Sequence, residues 1–290
     1  MKKIILGLLM ILMCSNANCT EHKEQIQKLI NTQNYSTALQ KIDSLIQLKG
    51  DKLWHYEFKG SIFVQLENYE KAIICFRKAR KLGADKFISL INIGDALFKN
   101  GQYEKAFDYF LLASTINSNN FTVNFNMGLC HYYFNEIDDA LKYFNRAKDI
   151  NPDDYLTYVM LAEIYNIKNN FELALYNVNT SIKLNPDYDY AYFVKGLSYY
   201  GMKDYKKSFK FHTKAIQLNP LDVQYYCKRG LSYYMNDDYD KALVDFSKAI
   251  EMDNSCCEAY IGSAYTHQKL GNDSLYQVYF FKNSECLNEP

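Results

Sequence analysis

A period of 34 residues runs through this chain and constrains its fold more strongly than any other feature of the sequence. Positions 34 apart, starting at residue 60, all carry a small residue: Gly60, Gly94, Gly128, Ala162, Gly196, Gly230 and Ala264. Twelve positions later, a second small series follows with the same period: Ala72, Ala106, Ala140, Ala174, Ser208 and Ala242. Such a period predicts a stack of similar supersecondary units, each contacting its neighbours, in place of one globular core.

Bulky residues lie at helical spacings from the small ones within each unit. Four members of the second series are followed four positions later by phenylalanine: Phe76, Phe110, Phe144 and Phe246. Spacings of three, four and seven place such residues on one stripe of an α-helix. A small residue that faces an aromatic ring lets two antiparallel helices approach closely. Pro152, Pro186 and Pro220 recur at the same period and indicate where the second helix ends, because proline cannot continue a helix.

Two consecutive units carry the full pattern. The first contains Tyr192, Gly196, Tyr199, Tyr205, Ala215 and Pro220, and the second contains Tyr226, Gly230, Tyr233, Tyr239, Ala242, Phe246 and Ala249. In these positions the chain resembles the tetratricopeptide repeat family, whose unit is a helix-turn-helix of about 34 residues. The resemblance implies an all-α fold, a right-handed α-solenoid in which the first helix of each pair lines the concave face.

Eight units fit the chain when the first position of a unit is set at residue 53. They span residues 19–52, 53–86, 87–120, 121–154, 155–188, 189–222, 223–256 and 257–290, and the last is a cap. The first unit carries Ile26 where the others have a small residue, and the last carries Tyr276 and a polar Asn-Glu-Pro end. We therefore expect one solenoid over residues 19–290, with a polar capping unit at its end.

The N-terminal residues have the layout of a secretory signal peptide. Lys2 and Lys3 form a charged start, and an apolar run of ten residues extends from Ile4 to Met13. That run is too short to cross a bilayer, which takes about 20 apolar residues. The small residues in 15–17 suit signal peptidase, so residues 1–17 are predicted to be removed and the mature chain to start near Asn18. The expected location is the periplasm or the cell envelope.

The cysteines leave two questions open. Cys14 and Cys19 are candidate sites for a lipid anchor, which would make the chain an outer-membrane lipoprotein. The residues before them, Met13 and Asn18, are poor matches to that signal. The other six have no metal-ligand spacing and are interpreted as buried free thiols: Cys75, Cys130, Cys227, Cys256, Cys257 and Cys286. A disulfide between Cys286 and the adjacent pair 256–257 stays an alternative in an oxidising compartment.

Charge and motif content exclude several classes of function. Lys plus Arg and Asp plus Glu both total 33, so the chain has no net positive charge that would favour nucleic acid. No catalytic or phosphate-binding motif is present, and the histidines lack metal-ligand spacing, so we expect neither an enzyme nor a cofactor or metal. His131, His212 and His267 fall at packing positions of the repeat. The acidic pairs at 138–139, 153–154 and 237–238 are expected to cap helices at turns.

The resemblance also implies which residues of the first helices face the concave groove. They are Asn92, Asp95, Phe125, Asn126, Tyr132, Tyr133, Met160, Glu163, Phe193, Tyr200, Lys228 and Tyr234. Aromatic side chains bury a large area at a small entropy cost, and asparagine can hydrogen-bond to a peptide backbone. The alternative role for each aromatic residue is packing between repeats.

These observations favour a non-catalytic scaffold or adaptor of the cell envelope that holds a protein or peptide in its concave groove. One alternative is a glycan-binding module that uses the Tyr- and Phe-lined groove, although sugar sites usually contain tryptophan and Trp54 is the only one. A second alternative is a structural protein that self-associates through the ends of the solenoid, which a polar last unit argues against.

Overall fold

The computed structural model describes residues 20–288, which form α-helices joined by short turns and contain no β-strand. The helices are α1 (20–31), α2 (Tyr35–Lys49), α3 (Leu53–Gln65), α4 (Tyr69–Lys81), α5 (Lys86–Lys99), α6 (Tyr103–Ile116), α7 (Phe121–Tyr133), α8 (Ile137–Ile150), α9 (Tyr155–Ile167), α10 (Phe171–Leu184), α11 (Asp189–Gly201), α12 (Tyr205–Leu218), α13 (Val223–Met235), α14 (Tyr239–Met252), α15 (Cys257–Lys269) and α16 (Asp273–Asn288). The prediction of an all-α fold of helix pairs is confirmed. The predicted signal peptide (1–17), Cys14 and Cys19 lie outside the described residues.

The chain divides into two compact units. Unit 1 is Met1–Phe134 and unit 2 is Asn135–Pro290. The division falls between α7 and α8, which the 34-residue period assigns to one repeat. Among the described residues, no helix combines the length and the apolar character needed to cross a bilayer.

Within each unit the helices form an α-solenoid of two layers. Each helix packs on the next one in the chain, as α3, α4, α5, α6 and α7 do in unit 1. In unit 2 the first helices of successive repeats also contact one another, α9 with α11, α11 with α13, and α13 with α15. Apolar residues from both layers fill the space between them. One side of the first helices therefore faces the core and the other faces solvent.

The small residues of the first helices admit aromatic rings from the second helices, as the sequence predicts. A Cβ atom added to Gly94 would lie 2.7 Å from the ring of Phe110, and one added to Gly230 would lie 2.8 Å from the ring of Phe246. Both rings are fully buried. A larger residue at either glycine would collide with a ring that has no free space to enter.

A left-handed residue follows the first helix of every repeat in the described part of the chain. The eight positions are spaced by 34, and their φ angles lie between 54° and 73°: Gln33, Glu67, Gly101, Asn135, Asn169, Lys203, Asp237 and Gly271. The next amide donates back across the helix end, as Asn170 N does to Tyr165 O at 2.8 Å. This is the Schellman arrangement, which reverses the chain within three residues and satisfies a carbonyl at the helix end.

The three acidic pairs occupy different positions relative to the helices that follow them. Asp154 caps α9, since its carboxylate accepts from the backbone N–H of Thr157 at 2.8 Å. Asp138 and Asp139 are not caps, because they lie inside the first turn of α8, where a negative charge suits the helix dipole. Asp138 also pairs with Lys168 at 2.7 Å. Residues 237 and 238 occupy the turn before α14, and the cap position there has no side-chain hydrogen bond.

The interpretation of all six described cysteines as free thiols is wrong for two of them. Cys257 and Cys286 form a disulfide that joins α15 to α16, with a Cα–Cα separation of 5.6 Å. Cys75, Cys130 and Cys227 are free and buried, and Cys256 is free and half-buried. The sequence alone leaves this pairing open, because it depends on two helices meeting and neither spacing nor composition fixes that contact.

The outer side of α16 is less polar than expected for a cap. Its exposed residues include Leu275, Val278, Phe280, Phe281 and Leu287, and Phe281 is 63 % exposed. The expectation of a polar last unit rested on the final residues, of which 289 and 290 lie outside the described part. The helix before them carries an apolar surface.

Candidate functional site

Unit 2 presents a continuous surface made of the solvent-facing sides of α9, α11, α13 and α15. We call it the first-helix surface. Equivalent positions on these four helices, spaced by 34, carry Glu163, Leu197, Leu231 and Tyr265. The first three are half-buried, and Tyr265 is exposed. The period of the repeat therefore sets one row of side chains across the unit.

A carboxylate and a tyrosine meet at one end of this row. The hydroxyl of Tyr190 on α11 donates to the carboxylate of Glu163 on α9. Burial raises the pKa of Glu163, and the hydrogen bond from Tyr190 opposes that change. A carboxylate in this setting lacks the water that would solvate its charge, so a cationic ligand group would stabilise its ionised form.

An ion pair lies at the other end of the row. The ammonium of Lys228 on α13 donates to the carboxylate of Glu258 on α15. Both side chains remain about one third exposed, which makes them accessible to a ligand. Tyr200 on α11 is close to the same carboxylate, and burial, together with the charges of Tyr205 and Glu258, raises the pKa of its phenol.

Apolar and aromatic side chains fill the space between these polar groups. Leu197, Tyr200, Leu231 and Tyr234 are all half-buried. Tyr200 and Tyr234 each lie against a tyrosine at the start of the following helix, Tyr205 at 5.5 Å and Tyr239 at 5.8 Å between ring centroids. These contacts hold the two rings in place, which lowers the entropy cost when a ligand packs on them.

Unit 1 places its predicted site residues in two groups. Asn92 and Asp95 on α5 line a small pocket of about 240 Å³ with Ser61 of α3, and Lys99 pairs with Asp95 at 3.2 Å. The second group lies on α7. It includes Phe125, which is half-buried and stacks on Phe121, and the half-buried Tyr132.

Tyr133 is the most exposed of the predicted residues, at 53 %. Its ring stacks on Tyr103 at 4.4 Å and contacts the edge of Phe98 at 5.2 Å. The exposed part of this three-ring cluster could contact a ligand, whereas the buried part secures the end of α7 against α5 and α6.

Two predicted contact residues belong to the core. Phe193 is only 4 % exposed, because its ring packs between Tyr225 at 4.9 Å and His212 at 5.5 Å. Asn126 is also buried. Met160, Tyr200, Lys228 and Tyr234 remain half-buried on the first-helix surface.

Sequence reasoning missed four residues of this surface. Tyr190, Leu197, Leu231 and Glu258 lie beside the predicted ones and make or frame its contacts. The signal that could have found Leu197 and Leu231 is the same 34-residue step that leads from Glu163 to both.

Comparison with known proteins gives a consistent result. Family models described as tetratricopeptide repeat match residues 59–121, residues 121–154 and 189–220, and residues 223–256. None of the curated proteins matches the chain.

Similar solved structures have low sequence identity to this chain. The APC/C hetero-tetramer Cut9–Hcn1 has a TM-score of 0.71 at 14 % identity, and the match covers 88 % of this chain and 50 % of that one. A tetratricopeptide repeat protein from Parabacteroides merdae ATCC 43184 has a TM-score of 0.63 at 18 % identity, covering 85 % and 93 %. MamA from Desulfovibrio magneticus RS-1 has a TM-score of 0.52 at 22 % identity, covering 60 % and 98 %. This chain thus spans half the length of the first of these, and the likeness concerns the fold.

Proposed function

Because this chain belongs to the tetratricopeptide repeat family, we propose that it is a protein-interaction scaffold whose unit 2 binds an extended peptide segment of a partner. Proteins of this family bind other proteins or peptides. The observation that carries the proposal is the group of half-buried side chains on the first-helix surface, Leu197, Tyr200, Leu231 and Tyr234. Glu163 lies at one end of this group and the Lys228–Glu258 pair lies at the other. Buried apolar area would supply affinity, and the polar ends would fix the orientation of the peptide.

The dimensions of the surface suit a short segment. Packed helices lie roughly 10 Å apart, so four neighbouring first helices extend over about 30 Å. An extended chain advances about 3.3 Å per residue, which corresponds to roughly nine residues. We expect apolar side chains in the middle of this segment and a basic residue near Glu163, whose carboxylate would gain a partner for its charge.

Replacing Leu231 with aspartate is expected to weaken peptide binding by at least 30-fold. The new charge would have to lose water on an apolar contact surface, which costs about 2 kcal/mol or more. The measurement starts with a phage-displayed library of random twelve-residue peptides, selected on the purified chain. Fluorescence anisotropy of a selected peptide then gives the dissociation constant for each variant.

Leu221→Asp is the matched control, since Leu221 is 82 % exposed in the loop before α13. It makes the same chemical change away from the first-helix surface and should leave the dissociation constant unchanged. Thermal melting of both variants would show that the fold is kept. The proposal fails if no peptide is enriched, or if selected peptides bind the Leu231→Asp variant as tightly as the original chain.

We further propose that the chain works in the cell envelope. Two observations support this: the signal-like residues 1–17 and the disulfide between Cys257 and Cys286, a bond typical of oxidising compartments. N-terminal sequencing and intact mass of protein from fractionated cells are expected to show a start near Asn18, or a lipid-modified Cys14 or Cys19, in the envelope fraction. A chain that keeps Met1 and remains in the cytosolic fraction would contradict the proposal.

A further inference from the structure

Two free cysteines of unit 2 lie in direct contact. The Sγ atoms of Cys227 and Cys256 are 3.1 Å apart, although 29 residues separate them in the sequence. Cys227 lies on α13 and is almost fully buried, and Cys256 is the residue immediately before α15 and is half-buried. No other pair of free thiols among the described residues is in such contact. Cys256 is the more accessible of the two residues.

The two sulfurs are chemically unequal. A hydrogen bond joins the two sulfurs, and it lowers the pKa of Cys256 to about 7. The same hydrogen bond, together with burial, raises the pKa of Cys227. Thiol–disulfide exchange requires a thiolate that can reach the disulfide it attacks. Cys256 meets both conditions, and Cys227 is positioned to react second.

We propose that Cys227 and Cys256 are a site of oxidative cross-linking and form a second disulfide beside the one that joins Cys257 and Cys286. The oxidant is the disulfide of a small thiol or of a thiol–disulfide oxidoreductase. The thiolate of Cys256 attacks one sulfur of that disulfide, forms a mixed disulfide and releases the first thiolate. The sulfur of Cys227 then attacks the sulfur of Cys256 and displaces the second thiolate, which takes up the proton of Cys227. In the net reaction two protein thiols are oxidised and one disulfide is reduced to two thiols.

The bond would connect three helices covalently. Cys227–Cys256 would fasten α13 to the start of α15, and Cys257–Cys286 fastens α15 to α16. Lys228 and Glu258 directly follow two of these cysteines and form the ion pair of the first-helix surface. The cross-link therefore fixes the two helices that carry that pair. This consequence for the first-helix surface rests on the proposed function, whereas the cross-link itself does not.

Mass spectrometry of the full chain tests the proposal. The chain is equilibrated with oxidised glutathione, its remaining thiols are blocked with N-ethylmaleimide, and it is digested without reduction. Because Cys256 and Cys257 are adjacent, we expect one cluster in which a single peptide carrying both is joined to the Cys227 peptide and to the Cys286 peptide, with fragmentation assigning Cys227 to Cys256 and Cys286 to Cys257. Blocked thiols are expected only at Cys75 and Cys130 once the chain is unfolded. Cys227 recovered as a blocked thiol, or Cys256 recovered only as a glutathione adduct or joined to Cys286, would overturn it.

Thermal melting provides a second test. Closing a loop of about 30 residues is expected to raise the melting temperature of unit 2 by about 5 °C or more. Under the same oxidising conditions, the Cys227→Ala variant should melt at a temperature lower by that amount than the original sequence. Under conditions that reduce only the Cys227–Cys256 bond, the difference between the two melting temperatures should shrink. Cys130→Ala is the control, since it removes a buried thiol that has no sulfur neighbour among the described residues. Equal melting of the oxidised chain and Cys227→Ala, with no cross-linked peptide, would refute the cross-link while leaving peptide binding untouched.

Discussion

Phe246→Ala is expected to lower the free energy of unfolding of unit 2 by about 3–5 kcal/mol, the usual cost of truncating a fully buried aromatic residue. The ring of Phe246 is closed to solvent and packs against two helices at once. A Cβ atom on Gly230 would lie 2.8 Å from this ring, and one on Gly262 would lie 2.5 Å from it. Because the facing residues are glycines, they have no side chains that could move into the space the ring leaves, so the cavity would persist.

Val244→Ala on the same helix is the control, because Val244 is 69 % exposed and its truncation should cost less than about 0.5 kcal/mol. The measurement is hydrogen exchange of the amides in α13, α14 and α15, because exchange reports how readily these particular helices open. Exchange in these helices should become much faster for Phe246→Ala than for Val244→Ala. Equal exchange rates would mean that neighbouring helices collapse into the cavity.

The packing of the repeat could be predicted from the sequence because hard steric contacts determine it. Gly94 and Phe110 occupy positions where two helices meet with no room for a Cβ atom, and the first of these positions carries a small residue, glycine or alanine, every 34 residues. A repeated constraint of this kind is visible without any knowledge of the partner helix. The bounds of the repeats could also be predicted, since six first helices begin at the first residues of their predicted units: α3, α7, α9, α11, α13 and α15.

The turns were less predictable. Six of the eight left-handed positions carry residues other than glycine, among them Gln33, Glu67 and Lys203. Residue type does not predict a positive φ at these sites, since glutamine, glutamate and lysine disfavour that conformation. The helix-end hydrogen bonds and the packing of both helices hold them in that conformation, which is a property of the assembled repeat.

The candidate site shows where the resemblance is insufficient. Phe193 and Leu197 are one helical turn apart on α11, yet Phe193 is in the core and Leu197 is on the first-helix surface. The difference arises from Tyr225 and His212, which enclose the ring of Phe193 from two other helices. Neither contact can be read from the periodicity of α11 alone. The contact of Cys227 with Cys256 is of the same kind, since it depends on how α13 meets the start of α15.

His212 gives rise to the second large effect, a loss of stability in mild acid. It stands where four other units have Phe76, Phe110, Phe144 and Phe246, and it is fully buried. Its Nδ1 atom lies 3.4 Å from the hydroxyl of Ser232, and its Nε2 atom has no hydrogen-bond partner in the described part of the chain. Burial, helped by the charges of Lys228 and Arg229, lowers its pKa to about 3. The imidazole is therefore neutral in folded unit 2 at neutral pH.

The unfolded chain binds a proton at His212 below about pH 6.5, whereas the folded chain does not until about pH 3. Stability from this residue is thus complete above pH 6.5 and falls as the pH drops between these values, by up to about 1.4 kcal/mol per pH unit. We expect unit 2 to lose about 2 kcal/mol between pH 7.5 and pH 5 from this residue alone. Asp245 and Glu163, whose pKa values are raised by burial, act in the opposite direction over part of this range.

The comparison with His212→Phe isolates the contribution of the histidine from these carboxylates. Phenylalanine faces the equivalent glycine in other units, as Phe110 faces Gly94. The substitution also removes a buried nitrogen that has no hydrogen-bond partner in the described part of the chain. Urea denaturation of both proteins at several pH values should give curves that diverge as the pH falls from 7.5 to 5, with the variant the more stable. Parallel curves would show that His212 becomes protonated in folded unit 2, and that the interior around Ser232 admits water or a counter-charge in acid.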